Sequence, residues 1–77
     1  MPKFEDLRDM LADIASLDPE VIEPDSAFFD DLGIETVMIM EFMNSLENKY
    51  GIQIPESDVP KINSISQLIR YINSKSN

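Results

Sequence analysis

Apolar residues recur at helical spacing in three segments of the chain, residues 3–16, 36–50 and 64–74. Within each segment they are separated by three or four positions, which places them on one side of a helix. The pattern therefore predicts three amphipathic helices. The predicted inner stripes are Phe4, Leu7, Leu11 and Ile14, then Ile39, Phe42, Met43, Leu46 and Tyr50, and finally Ile65, Leu68, Ile69 and Ile72.

The first connection, residues 18–35, shows little periodicity and contains two prolines and one glycine. It predicts a long surface loop, and loops of this length in small domains are often functional. The apolar residues expected to anchor the loop to the core are Val21, Phe28, Phe29 and Leu32.

The second connection begins with "GIQIP", residues 51–55, which alternates like a strand but is short and isolated. It is interpreted as an extended connector with Ile52 or Ile54 in the core. Residues 56–62 predict one short helical turn, limited by Pro60. Ser64 and Gln67 have capping-box spacing at the start of the last helix. The expected fold is all-α, a bundle of three main helices plus one short helix, with residues 1–77 as a single domain.

Charge and composition narrow the function classes. The 77 residues include 15 acidic and 6 basic side chains, a net charge of −9. Such a chain repels nucleic-acid phosphates and is attracted to basic surfaces of partner proteins. Neither Cys nor His occurs, so thiolate metal sites and histidine bases are excluded. No nucleophile–base pair and no EF-hand spacing is found, so neither catalytic residues nor a metal site is expected.

The same sequence predicts location and assembly. The N-terminal "MPKFEDLRDM" has no apolar run of signal-peptide type, and no segment has the length needed to span a membrane. We expect a cytoplasmic monomer.

Three stretches carry a family resemblance, "DDLGIETVMIMEF" at 30–42, "LENKYGIQIPESD" at 46–58 and "INSISQLIRYI" at 62–72. Along nearly its whole length the chain resembles an acyl carrier protein. In that family an Asp-Leu-Gly turn precedes Asp-Ser-Leu at the start of the second helix, and an aromatic-Gly-Ile-x-Ile-Pro segment ends it. The resemblance implies a four-helix carrier bundle.

The resemblance also implies a cofactor and partners. The family's serine is esterified with 4′-phosphopantetheine from coenzyme A by a phosphopantetheinyl transferase. The thiol of this arm carries acyl groups as thioesters in fatty-acid, polyketide or related biosynthesis. The arm would supply the sulfur that a chain without Cys lacks. In the family, acyl-handling enzymes use basic patches on their own surfaces to dock on the acidic second helix of the carrier.

The modified serine is replaced here by Thr36, flanked by Glu35 for Asp and Val37 for Leu. Two interpretations remain open. Thr36 is an attachment point whose added methyl crowds the reaction, or its hydroxyl is a helix N-cap. An artificial Ser-to-Thr substitution would not account for Glu35 and Val37.

One broad outer face of the second helix is predicted to bind partners, with an apolar centre and an acidic rim. If the arm is absent, the chain would be an interaction module that docks through this face alone. In the alternative interpretation Met40 only edges the core. Met38 projects elsewhere, as an extra contact or a lone exposed side chain. The predicted docking residues are Glu35, Val37, Met40, Glu41, Asn44 and Glu47, beside Thr36.

Overall fold

A computed structural model describes residues 2–75 and contains three α-helices. They are α1 (Phe4–Ala15), α2 (Thr36–Tyr50) and α3 (Ile65–Lys75). Two 3₁₀ helices, Pro19–Val21 and Glu56–Lys61, lie in the connections. Residues 2–75 contain no strand, so the predicted all-α bundle is confirmed. Met1, Ser76 and Asn77, part of the predicted domain 1–77, lie outside the described residues.

The core lies where α1 packs against both α2 and α3. The inner stripe of α2 is buried at Ile39, Phe42, Met43 and Leu46, as predicted, and Tyr50 packs at its edge. Each of these helices buries one face, and burial of apolar surface is the main term that stabilises the bundle. Within the described part of the chain, no helix has the length and apolar character for membrane crossing.

The loop at 18–35 is anchored by partly different residues from those predicted. Phe28 is buried and Leu32 packs against the core, but Val21 is 54% and Phe29 45% exposed. Ile22 and Ile34 are buried instead. Since an irregular segment has no periodicity, its local dihedral angles decide which apolar side chains point inward. The prediction for Val21 and Phe29 was therefore wrong.

The first 3₁₀ helix, Pro19–Val21, was not predicted. Asp18 is its N-cap and accepts a hydrogen bond from the Glu20 amide at 2.9 Å. The proline at the first helical position loses no needed donor.

Two backbone hydrogen bonds tie this loop to the start of α3. The Phe28 amide donates to the Asn63 carbonyl at 2.9 Å, and the Ser66 amide donates to the Pro24 carbonyl at 2.9 Å. Phe28 also meets Phe42 of α2 edge to face, with ring centroids 6.3 Å apart, a favoured aromatic geometry. The loop is thereby fixed between α2 and α3.

The connection from α2 to α3 agrees with its predicted outline. Ile54 is the buried residue of the extended connector. The second 3₁₀ helix, Glu56–Lys61, is longer than the single turn predicted. One turn closes with Asp58 N–H to Pro55 C=O and the next with Ile62 N–H to Val59 C=O. Pro60 opens that second turn, where a missing N–H is tolerated.

The capping signal before α3 is confirmed in a modified form. The Ser64 hydroxyl accepts a hydrogen bond from the Gln67 amide at 3.2 Å. The Gln67 side chain reaches back to the Asn63 amide, at 2.8 Å, rather than to that of Ser64. Both bonds satisfy donors that the helix itself leaves unpaired.

Candidate functional site

A tight turn delivers the chain to α2. Gly33 adopts a left-handed φ of 64°, a conformation that a residue with a Cβ rarely adopts. The Ile34 amide donates to the Phe28 carbonyl at 2.9 Å, and the Gly33 amide donates to the Phe29 carbonyl at 3.1 Å. The Asp31 carboxylate accepts from the Ala27 amide at 2.8 Å. Asp31 therefore stabilises the turn rather than serving only as solvated surface charge.

Thr36 is the first residue of α2, and Glu35 is the N-cap. The Glu35 carbonyl accepts the first helical hydrogen bonds, from the amides of Met38 and Ile39. The N-cap position belongs to Glu35 and not to Thr36, so the interpretation of Thr36 as the helix N-cap is wrong. Among residues 2–75 the exposed Thr36 side chain makes no hydrogen bond, which leaves its hydroxyl available for chemistry.

Thr36 opens onto a groove of about 430 Å³. The groove runs between the start of α2, the second 3₁₀ helix and the residue preceding the Ser64 cap. Its lining is mostly apolar, with a few polar groups, as in many ligand sites. The lining residues are Phe29, Asp30, Thr36, Ile39, Val59, Pro60 and Asn63.

The start of α2 and the adjoining groove would fit a phosphate ester on the Thr36 hydroxyl. The amides of Thr36 and Val37 precede the first helical hydrogen bond, so they are free to donate to an anion, and the helix dipole favours negative charge there. The exposed carboxylates Glu35 and Asp30 oppose this effect. The adjoining groove offers room for a flexible arm that begins at the hydroxyl.

The outer face of α2 is only partly free. Val37 is 75% exposed, and Glu41 and Asn44 are also exposed. Met40 is half-buried and packs against the core. The half-buried Glu47 accepts a hydrogen bond from the Ile54 amide at 2.8 Å. Glu47 therefore holds the connector after α2.

Glu35 was predicted to belong to this face, and Met38 was predicted to project elsewhere. The N-cap residue Glu35 is exposed, beside Thr36. Met38, which was expected to be an extra contact or a lone exposed side chain, is half-buried and packs against the core.

Sequence reasoning missed the groove residues Asn63, Val59 and Pro60. They lie more than twenty positions from Thr36 in the sequence, and only the packing brings them beside it. The sequence signal that could have pointed to Asn63 was its place directly before Ser64, the residue predicted to cap the last helix.

A polar contact joins the second 3₁₀ helix to α3. The Tyr71 hydroxyl donates to Asp58 Oδ2 at 2.6 Å, and Lys61 Nζ lies 3.3 Å from Asp58 Oδ1. The hydrogen bond from Tyr71, followed by that from Lys61, lowers the pKa of Asp58. Burial, followed by the bond to Asp58, raises the pKa of Tyr71 to about 12. This contact supports the wall of the groove that carries Val59 and Pro60.

A second depression, about 290 Å³, is lined by Glu23, Pro24, Asp25, Ser26 and Asp31. In the part of the chain that the structure describes, no three side chains of His, Cys, Asp or Glu are grouped as metal ligands.

The chain is similar to known proteins over nearly its whole length. Residues 5–72 match the family described as "Phosphopantetheine attachment site". An acyl carrier protein of Campylobacter concisus is 35% identical over 72 residues, 94% of each chain. One of Campylobacter hominis is 36% identical over 94% of this chain and 91% of its own. One of Campylobacter curvus is 33% identical over 94% of each.

Proposed function

Because the chain belongs to the acyl carrier protein family, we propose that it is a non-catalytic carrier whose 4′-phosphopantetheine arm is attached at Thr36. Two points support this attachment point. The motif resemblance puts Thr36 at the family's serine position, and the Thr36 hydroxyl, exposed at the N-terminus of α2, makes no hydrogen bond within residues 2–75. When bound, the arm supplies the thiol that holds an acyl group.

The roles of the chain's own residues follow from the site. Thr36 Oγ1 would supply the ester oxygen, and the amides at the start of α2 would donate hydrogen bonds to the phosphate. The extra methyl of Thr36 restricts the rotamers of the hydroxyl and crowds its approach to the coenzyme A diphosphate. Since transfer depends on close positioning, attachment is slower than at a serine.

The test is intact mass after incubation with coenzyme A and a broad-specificity phosphopantetheinyl transferase. We expect Thr36→Ser to be modified at least ~10-fold faster than the parent, because positioning errors of about an ångström cost factors of this size or more. Thr36→Val is the matched control, since it keeps the shape and removes the hydroxyl, and it should gain no mass.

Each outcome bears on the assignment. A mass increase on Thr36→Val would place the arm elsewhere. Equal rates for the parent and Thr36→Ser would show that the methyl is no obstacle. If neither is modified, nor the protein purified from its own cell, the arm-less interaction module becomes the better description.

We further propose that acyl-handling biosynthetic enzymes and the transferase dock on α2 through basic patches. The proposed docking residues are Glu35, Val37, Met40, Glu41, Asn44 and Glu47. Support comes from the exposed Val37, beside the exposed carboxylates Glu35 and Glu41. Such surfaces take orientation and association rate from charge, and affinity from a few apolar anchors. We expect the protein to act as a cytoplasmic monomer.

Binding kinetics on a co-purifying acyl-handling enzyme test the docking face. Glu41→Lys should slow association and weaken its salt dependence, whereas Val37→Ala and Met40→Ala should mainly speed dissociation. Glu5→Lys, at an exposed position of α1, is the control for charge reversal. Unchanged kinetics for all α2 variants, with binding lost through changes in α1 or α3, would show that another face docks.

A further inference from the structure

Asn63 differs from the other polar groups that line the groove beside Thr36. Of the lining residues, Asp30 carries a carboxylate, which only accepts hydrogen bonds when ionised, and Thr36 is the attachment point proposed for the arm. Phe29, Ile39, Val59 and Pro60 contribute apolar surface. Asn63 alone adds a neutral side chain with both a donor and an acceptor.

The backbone of Asn63 is held on both sides. Its carbonyl accepts from the amide of the buried Phe28 at 2.9 Å, and its amide donates to Gln67 Oε1 at 2.8 Å. These bonds fix the Cα of Asn63 relative to the loop and to α3. The main chain is therefore rigidly placed beside the groove.

The carboxamide of Asn63 takes no part in the hydrogen bonding of the described chain, and its polar atoms are open to the groove. It makes no hydrogen bond to any of residues 2–75, and the residue is half-buried at the groove. A side-chain amide on a fixed backbone, in a mostly apolar groove, is the kind of group that orients a ligand.

The ligand that fits is already tethered next to it. The arm proposed for Thr36 contains two secondary amides, each with one N–H donor and one carbonyl acceptor. A carboxamide can pair with such an amide through both of its groups. A carboxylate could only accept a hydrogen bond from the N–H of such an amide. The carboxylates near Thr36 would also repel the phosphate of the arm.

We propose that Asn63 is a positioning residue for the arm, and that its carboxamide hydrogen-bonds to an arm amide lying in the groove. This assignment rests on the proposed attachment at Thr36. The contact orients the arm along the wall formed by Val59 and Pro60 and restricts its excursions into solvent.

Chemical attachment separates this proposal from enzymatic loading. The chain contains no Cys, so Thr36→Cys provides a single thiol. Its thiolate displaces iodide from an alkyl iodide that ends either the two-amide chain or an ether chain of equal length without amides, and a thioether forms. Intact mass confirms each conjugate. A failure of transferase loading then bears on the proposed function, and a failure of the contact bears on Asn63.

The readouts are the side-chain NH₂ resonance of Asn63 and hydrogen exchange at the arm amides. We expect the amide arm, and not the ether arm, to shift the Asn63 resonance, while that of the exposed Asn48 stays in place. Exchange of one arm amide should be slowed about fivefold, the factor for an ordinary net hydrogen bond. Asn63→Leu should abolish the slowing, and Asn48→Leu should preserve it.

Identical Asn63 resonances in the amide and ether conjugates, with arm amides that exchange as fast as in the free reagent, would overturn the proposal. Because Thr36 is exposed, this first comparison does not depend on any variant that could disturb the core.

Discussion

Glu47 shows at the residue scale how one side chain of the outer face serves the fold. Its carboxylate accepts from the amide of the buried Ile54. Glu47→Ala should lower the free energy of unfolding by about 1 kcal/mol, the usual net value of such a bond, because the amide would lose its partner. For a domain of this size the melting temperature should fall by roughly 4–8 °C.

Two matched variants separate this bond from a general charge effect. Glu47→Gln keeps an acceptor oxygen and should restore most of the stability, whereas Glu41→Ala, at an exposed position, should change it by less than about 0.5 kcal/mol. Thermal unfolding of the three variants is the measurement. Equal losses for Glu47→Ala and Glu41→Ala would contradict the structural role of Glu47.

At the element scale, the second 3₁₀ helix depends on α3 through Tyr71 and Asp58. Tyr71→Phe removes the hydroxyl and should speed amide exchange at Ile62, whose bond to Val59 closes the last turn. It should also raise the pKa of Asp58, since the hydrogen bond from Tyr71 is the largest cause of its lowering. NMR titration and hydrogen exchange measure both effects.

The pH dependence of that contact has a definite sign. Because the pKa of Asp58 is lowered from its ordinary value of 3.8, ionised Asp58 stabilises the fold at pH values above 3.8. This stability is lost as the pH falls through the folded-state pKa. Because the pKa of Tyr71 is raised from its ordinary value of 10.0, protonated Tyr71 stabilises the fold at pH values below 10.0. This stability is lost as the pH rises towards about 12. The difference in melting temperature between the parent and Tyr71→Phe should therefore be constant between pH 3.8 and pH 10.0 and should shrink outside this range. A difference that persisted at both extremes would argue against it.

Charge acts on the whole molecule. The net charge is −9, and residues 2–75 contain two ion pairs, Arg8–Asp9 and Lys61–Asp58. At 0.01 M salt the screening length is about 30 Å, against about 10 Å at 0.1 M. The molecule measures 32 × 23 × 20 Å, so at low salt its carboxylates repel one another across the full width.

We therefore expect the melting temperature to rise with ionic strength, and further with divalent cations at equal ionic strength. Sucrose at matched osmolality is the control for preferential exclusion. A melting temperature independent of salt would refute self-repulsion as a significant term in the stability.

The sequence by itself determined the three α-helices and the inner stripe of α2, because helical periodicity is a local property that each segment displays alone. Prediction placed the ends of α1 at 3–16, and the observed helix is Phe4–Ala15. The Ser64–Gln67 cap was also readable, since its partners are three residues apart. The resemblance predicted the family, which the comparisons confirm, and it predicted Thr36 as the attachment point, which stays a prediction.

Only the tertiary structure decided the rest of the site. The groove joins Thr36 to Val59, Pro60 and Asn63, and no local pattern encodes contacts between distant segments. The orientation of Phe29 and Val21 likewise depended on how the loop is tied to α3. The sequence interpretation placed the N-cap of α2 at Thr36, one position too late, and the observed backbone angles assign it to Glu35. Within residues 2–75 the Thr36 hydroxyl is thus left without a hydrogen-bond partner, a property set by three-dimensional neighbours and not by spacing along the chain.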